Sequence, residues 1–408
     1  MRETKRKANT TTLGDKGTPE TGGSLLTGVS LPAAAIFEAP LAHNLAWMQR
    51  FAASHGAYLA PHGKTTMTPA LFQRQLEAGA WGITLATAPQ CRAAFAAGVQ
   101  RLLMANQLIG EANMAIVAGL IEAGAEVYCV VDSTANVEAL GRHFAAAGQT
   151  LNVLVELGVP GGRTGCRTLE QVLGVAHSVA AQPALRMAGM EGYEGVVHGT
   201  DPVPAIRDYA AQLIACAQRL DQDGLLAVEA PIITASGSAW YDLIAEAFDA
   251  AELRGRFVPV LRPGCYVVHD HGLYREAQRG VLTRRPDLHE GLLPALEVFA
   301  QVQSLPEPGL AIIALGKRDI GFDQLPEPLR RYREGGNAKD LLSVAGWKVT
   351  KLMDQHAFIA LPEGAGDVRI GDIVAFGASH PCLTFDKWRQ LCLVNEGLDV
   401  VEQMQTSF

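Results

Sequence analysis

Between residues 55 and 265 the chain repeats one pattern: a short apolar run, a polar or Gly-rich break, then an Ala-rich amphipathic stretch. The apolar runs are Ala57–Ala60, Gly82–Ala86, Arg101–Ala105, Val127–Val131, Leu151–Leu157, Met187–Met190, Ala230–Thr234 and Phe257–Leu261. Between them lie helical patterns such as Pro69–Ala80, Ala88–Ala97, Met114–Ala123, Ala135–Ala147 and Leu169–Ala181, with further helices at Ala205–Asp223 and Ala239–Ala251. Strand alternating with helix favours a parallel sheet. Eight units in about 210 residues fit a closed (β/α)8, TIM-like barrel, and an open doubly wound sheet is the runner-up. No G-x-G-x-x-G follows the first run, so the dinucleotide fingerprint is missing.

After Pro263 the alternation gives way to Pro- and Gly-punctuated sequence with short β-like runs at Ala311–Leu315, Ala357–Leu361 and Ile373–Phe376. That predicts a C-terminal, mostly β domain, with which the early run Ala33–Phe37 can pair before the first helix, Leu41–Ser54. The expected organisation is a disordered tail over 1–24, a barrel over 40–262, and a β domain built from 25–39 and 263–408.

With 408 residues, 48% of them hydrophobic, the chain can bury a large core. Its net charge is -8 and no Lys/Arg run offers a phosphate-backbone footprint, which argues against nucleic acid as a partner. No apolar stretch approaches the roughly 20 residues needed to cross a bilayer. The start is Thr- and Gly-rich without an apolar core, unlike a signal peptide, although Arg2, Lys5, Arg6 and Lys7 leave a targeting role open. Seven scattered cysteines without a C-x-x-C pair suit reduced thiols in a cytoplasm.

A barrel keeps its chemistry in the loops at the C-terminal ends of its strands. Behind the first run stand His62 and Lys64; behind the next three, Thr87, Asn106 and Asp132. The fifth is followed by Arg163, the sixth by Tyr193 and His198, the seventh by Ser236-Gly237-Ser238, and the eighth by Arg262 and Tyr266. Lys64, on the tight turn Pro61-His62-Gly63-Lys64-Thr65, has an amine suited to a Schiff base with an aldehyde cofactor, or else is a solvated surface lysine. Ser236-Gly237-Ser238 offers hydroxyls, a flexible backbone and a following helix N-terminus to a phosphate, or else is an ordinary helix cap.

In the β domain, Ser379-His380-Pro381-Cys382 follows a strand-like segment. In an extended chain alternate residues share a side. His380 and Cys382 then present an imidazole and a thiolate to one metal ion, with Pro381 fixing the extended geometry. His269-Asp270-His271 has the composition of a metal cluster, yet its position past the eighth run equally suits a hydrogen-bonded turn. Cys91, Cys129, Cys166 and Cys216 read as small core residues. Arg330-Arg331-Tyr332-Arg333 reads as a solvated face.

Together, Pro61-His62-Gly63-Lys64-Thr65, Gly189-Met190-Glu191-Gly192-Tyr193-Glu194-Gly195, Ser236-Gly237-Ser238 and His380-Pro381-Cys382 resemble the D-serine dehydratase and D-threonine aldolase branch of the pyridoxal-phosphate enzymes with an alanine-racemase-type barrel (fold type III). The resemblance spans roughly residues 30 to 400 and is nearest to a bacterial subgroup labelled amino-acid deaminases. It implies that Lys64 holds pyridoxal 5'-phosphate, that Ser236, Gly237, Ser238 and Tyr266 lie near the phosphate, and that Arg163 and Tyr193 flank the pyridine ring. It implies His380 and Cys382 as ligands of a divalent metal, with zinc ahead of manganese or magnesium. Cys382 looks more like the dehydratases, since the aldolases tend to carry Asp there. Gly63 and Thr66 depart from the family's usual Ala or Val and His, and Leu315-Gly316-Lys317-Arg318-Asp319 matches only loosely.

The implied activity is elimination of water and ammonia from a β-hydroxy D-amino acid, with a small-molecule substrate and a homodimer expected. Retro-aldol cleavage is the alternative. A racemase and a non-catalytic pyridoxal-phosphate carrier rank lower; the carrier reading is weakened by the long C-terminal segment with its His-Pro-Cys.

Overall fold

The computed structural model describes residues 16–19, 23–197 and 199–408. Residues 1–15 and 20–22 of the expected tail, and His198 of the expected mouth, lie outside the described residues. Each apolar run overlaps a strand: Tyr58–Leu59, Ile83–Leu85, Arg101–Gln107, Glu126–Val131, Leu151–Leu157, Leu185–Gly192, Ile232–Ala235 and Val258–Leu261. The second to eighth pair in parallel in chain order, the first pairs with the eighth, and a parallel bridge between His62 and Thr84 closes the ring. The barrel, not the open sheet, is the architecture.

Alternation along the strands divides the side chains. Leu102 and Met104 join the large core beneath the helices, whereas Leu103, with Ala60, Val130, Leu154 and Val260, fills the ring itself. Fully burying a side chain of the Val/Leu size contributes about 1.5–3 kcal/mol. The helices start and stop where local chemistry says they should. Thr87, Ser133 and Thr168 accept hydrogen bonds from the amides of Gln90, Asn136 and Gln171 at three N-termini. Gly98 (φ +93) and Gly124 (φ +94) take the left-handed conformation just beyond two C-termini, turning the chain into the next strand.

The alternation does not end at Pro263 as expected. A further helix, Leu273–Arg284, follows the eighth strand and completes its βα unit. It is clamped to the barrel helix Tyr241–Ala250 by Arg284 on Asp242 (2.8 and 2.9 Å) and by the Tyr241 hydroxyl on Gln278 (2.7 Å). Polar anchors rather than an apolar stripe hold this helix, and only Gln278 and Val281 are buried along it. Hydrophobic periodicity therefore missed it.

Beyond it lies the β domain, nine strands among the described residues. Ala33–Phe37 sits inside this sheet, antiparallel to Leu296–Glu307 and parallel to Gln390–Val394, as the expected pairing requires. Ile373–Gly377 lies on the other side of Leu296–Glu307. Arg331, expected on a solvated face, is 1% exposed and pairs with Asp372 (2.6 Å) and Asp367 (2.7 Å).

The two parts meet at the barrel mouth. The amides of His271 and Leu273 donate to the carbonyls of Ala378 (2.9 Å) and Ser379 (3.3 Å), drawing the end of Ile373–Gly377 over the eighth strand. On the opposite side the Ser407 amide donates to the carbonyl of Met67, and Arg74 pairs with Glu402 (2.7 Å). The first barrel loop is thus held between both parts of the chain.

Candidate active site

A cavity of about 420 Å³ opens at the C-terminal ends of the strands. Its wall includes His62 and Lys64 from the first loop, Asn106 from the third strand, Arg163 and Tyr193, the whole of Ser236-Gly237-Ser238, and Arg262 and Cys265 from the eighth loop. His380 and Cys382 enter it from the β domain. Among the described residues expected near the cofactor or metal, Tyr266 does not reach the cavity. Its ring is buried and its hydroxyl accepts from the Gln75 side chain (3.3 Å), so it packs behind the eighth loop as part of the barrel wall. The short helical turn Cys265–Val267 explains this: it points Cys265 inward and sends the next side chain the other way.

Asp132 and Thr87, also expected at the mouth, have structural partners. Asp132 accepts from the Gly165 amide (2.9 Å), and Thr87 caps a helix. Asp270 accepts from the amides of Gly272, Tyr274 and Arg275, so His269-Asp270-His271 is the hydrogen-bonded turn and not a metal cluster. Thr66 is buried beneath the first loop.

The first loop owes its shape to Gly63. A Cβ there would come within 2.8 Å of both the Ile83 methyl and the Phe72 ring, so the family's Ala or Val would need a different wall. Lys64 projects into the cavity. Loss of solvent lowers its pKa, the Cys382 thiolate opposes that, and the positive charge of Arg163 reinforces it. His62 beside it is held well below its ordinary pKa, first by burial and then by Lys64, Arg262 and Arg163. Arg262 pairs with the buried Glu191 and donates to the Gly192 carbonyl (2.6 Å). Burial nonetheless pushes the Glu191 carboxyl up to about 7. The Arg163 guanidinium lies 4.6 Å over the Tyr193 ring.

The loop after the seventh strand is built differently from expectation. The carboxylate of Glu194, fully buried, accepts from the amides of Ser236 (3.0 Å) and Gly237 (2.7 Å). Those two amides therefore shape the loop instead of facing an anion. The Ser238 hydroxyl accepts from the amides of Gly264 and Cys265 (3.0 Å each), tying the seventh loop to the eighth. None of the serines caps the helix behind them. Tyr241–Ala250 begins at Trp240 with no side-chain cap among the described residues, which leaves first-turn N–H groups for an anion.

Pyridoxal phosphate fits this cavity on the structure's own terms. Lys64, Arg163 and Arg262 line it with positive charge. Among the described residues, the buried His62 Nδ1 and Arg262 Nε lack a hydrogen-bond partner, as a wall built around a polar guest would.

The metal-type cluster lines the same cavity as Lys64. The side-chain donor atoms of Cys265, His380 and Cys382 lie within 4.8 Å of one another. The expected extended geometry is not how His380 and Cys382 come together. Pro381 is helical (φ -61, ψ -44) and opens the single turn Cys382–Phe385, whose curl brings the two side chains to one side. His380 Nδ1 is 3.1 Å from Asp323, and the Tyr274 ring meets the imidazole edge-on. The Cys382 thiol is held far toward thiolate by the hydrogen bond from Cys265 and by His380, against its burial. Burial and that same thiolate push the Cys265 thiol up.

Sequence reasoning missed Cys265, Glu194, Tyr274 and Asp323. Cys265 alone carried a usable signal, since it follows the Pro263-Gly264 turn and lies four residues past the eighth strand. The other three depend on contacts between distant segments.

Comparison with known proteins agrees with this fold. The alanine racemase N-terminal domain family matches residues 37–266, more than half of the chain, and a serine dehydratase domain family matches residues 295–394. A D-threonine aldolase of Arthrobacter sp. is 26% identical over 384 residues, covering 93% of each chain. The D-threo-3-hydroxyaspartate dehydratase of Delftia sp. HT23 is 24% identical over 372 residues, covering 88% of this chain and 93% of that one. Among solved structures, D-threonine aldolase from Filomicrobium marinum superposes with a TM-score of 0.78 at 22% identity, over 95% of this chain and 98% of that one. A cysteine-to-alanine variant of the dehydratase, described as the metal-free form, superposes at 0.75 with 21% identity, over 94% and 99%. The chain belongs to the alanine-racemase-type barrel family, in its D-serine dehydratase and D-threonine aldolase-like branch of the fold type III pyridoxal-phosphate enzymes.

Proposed function

We propose that this enzyme is a pyridoxal-phosphate- and metal-dependent lyase that converts a β-hydroxy D-amino acid of the D-serine, D-threonine or 3-hydroxyaspartate type to a 2-oxo acid and ammonia. One observation carries the reading: Lys64 shares a single cavity with His380 and Cys382, so a base for the α-proton faces a metal-type pair for the β-oxygen. When bound, pyridoxal phosphate supplies an electron sink at Cα and a divalent metal supplies Lewis acidity toward a β-hydroxyl.

Lys64 Nζ would hold the cofactor as a Schiff base and, as a free amine, would take the Cα proton of the substrate. Its lowered pKa raises the neutral amine fraction near pH 7, which both tasks need. Arg163 and Arg262 keep the cavity positive toward a phosphate and a substrate carboxylate. His380 and Cys382 would hold the metal, with Asp323 on Nδ1 of the imidazole leaving its other nitrogen for the ion. Water lost at Cβ is regained when the imine product is hydrolysed, so the net products are one 2-oxo acid and one ammonium ion.

Retro-aldol cleavage to glycine and an aldehyde is the second reading, favoured by the similarity to a D-threonine aldolase over most of the chain. The two are separated by incubating the holoenzyme with D-serine and D-threonine, with and without chelator, and assaying 2-oxo acid and glycine. Oxo acid that disappears on metal removal is the expected result; glycine without oxo acid assigns the aldolase instead. Lys64→Ala is expected to lower turnover by about 10²–10⁴-fold. No helix among the described residues is long and apolar enough to cross a membrane. A cytoplasmic homodimer completes the proposal, with sedimentation of the holoenzyme as its check.

A further inference from the structure

We propose that Cys265 is a third protein ligand of the metal held by His380 and Cys382. The centre then has two thiolates and one imidazole, prefers zinc to magnesium or manganese, and keeps one coordination position open to the cavity. This rests on the reading above that the His380–Cys382 pair binds a metal.

The sulfur of Cys265 lies 3.7 Å from that of Cys382. Two thiolates bound at about 2.3 Å to a tetrahedral zinc stand about 3.8 Å apart, so the pair already has the required separation. The His380 donor falls within 4.8 Å of both sulfurs. Cys265 is also held in place by its backbone, since its amide and that of Gly264 both donate to the Ser238 hydroxyl. Gly264 packs so closely that a Cβ would meet Thr65 Oγ1 at 2.6 Å and the His62 carbonyl at 2.7 Å. The ligand therefore arrives on a rigid loop of the barrel, while its two partners come from the β domain.

Surrounding groups complete the arrangement. Thr65 Oγ1 is 3.4 Å from the Cys382 sulfur and 3.9 Å from that of Cys265, placed to hydrogen-bond to thiolates. Asp323, the nearby carboxylate, is occupied by His380 (3.1 Å) and by the Ser379 hydroxyl (2.7 Å) and supports the ligands from behind. A set of two sulfurs and one nitrogen, with no oxygen, suits zinc and disfavours hard ions that seek carboxylates and water. Three protein ligands leave a fourth position for one substrate oxygen. The metal can then engage a lone β-hydroxyl, and the substrate needs no second chelating oxygen such as a β-carboxylate.

X-ray absorption of the zinc-loaded wild-type enzyme tests this without mutation, and two sulfur scatterers are expected. In Cys265→Ser, competition with a chromophoric chelator should show zinc affinity lowered by about 100-fold or more, since outer partners alone are worth about 10–100-fold. The cobalt-loaded variant should show about half the wild-type thiolate-to-cobalt charge-transfer intensity. Zinc bound through a single sulfur in the wild type overturns the role of Cys265 and leaves the His380–Cys382 pair standing, as does a variant with unchanged affinity and intensity. Failure of the wild type to retain any metal overturns both.

Discussion

Lys64 illustrates how far a single residue can be read. Its place behind an apolar run makes it a candidate; its neighbours in space give the amine its chemistry. Gly63 next to it shows the reverse dependence, of chemistry on packing. Phe72 and Ile83, which a Cβ at position 63 would strike, are 1% and 0% exposed and cannot withdraw into solvent. Gly63→Ala is therefore expected to destabilise the fold by about 1–3 kcal/mol. Urea denaturation should show a lower midpoint with an unchanged slope; equal midpoints would contradict the steric account.

Loops between elements carry their own energetics, and the turn after the eighth strand shows it. His269 is 2% exposed, sits at φ +51, and has its pKa lowered to about 4 by burial. The folded state thus binds fewer protons here than the unfolded chain, whose His titrates near 6.5. The stability this group contributes is complete above that value and is lost as pH falls toward about 4. Between pH 7 and 5 the loss is about 2 kcal/mol. Asp270, raised to about 6, acts in the opposite direction. It is common to the wild type and to His269→Asn, a substitution suited to positive φ. The wild type should lose about 2 kcal/mol more than this variant over the interval, measured by urea titrations at the two pH values. Parallel losses would remove His269 as the source. The nearby helix Leu273–Arg284 was invisible to apolar periodicity because Asp242 and Tyr241 of another helix anchor it.

Considered whole, the molecule places one half of its candidate chemistry on each part of the chain: Lys64 and Cys265 on the barrel, His380 and Cys382 on the β domain. A metal bound at their junction should stabilise both parts together, by about 2.7 kcal/mol at a hundredfold excess over Kd. Calorimetry of the chelated enzyme should show one transition that rises by several degrees when zinc is added. An unmoved transition would contradict tight zinc binding by the folded state. The barrel was legible in the sequence because alternating strands and helices write their period into local composition; Lys64, the Ser236–Ser238 loop and the His380–Cys382 pair stood out as candidates, and they line one cavity. Tyr266 was misplaced because one helical turn reverses direction between neighbours, and short-range pattern carries no such information. Glu194 filling the amides of Ser236 and Gly237, and Cys265 meeting Cys382 across 117 residues, were decided by tertiary structure alone. Local sequence determines which backbone forms and which chemical groups it carries. Only the closing of the ring and the docking of the sheet over its mouth determine which of those groups touch.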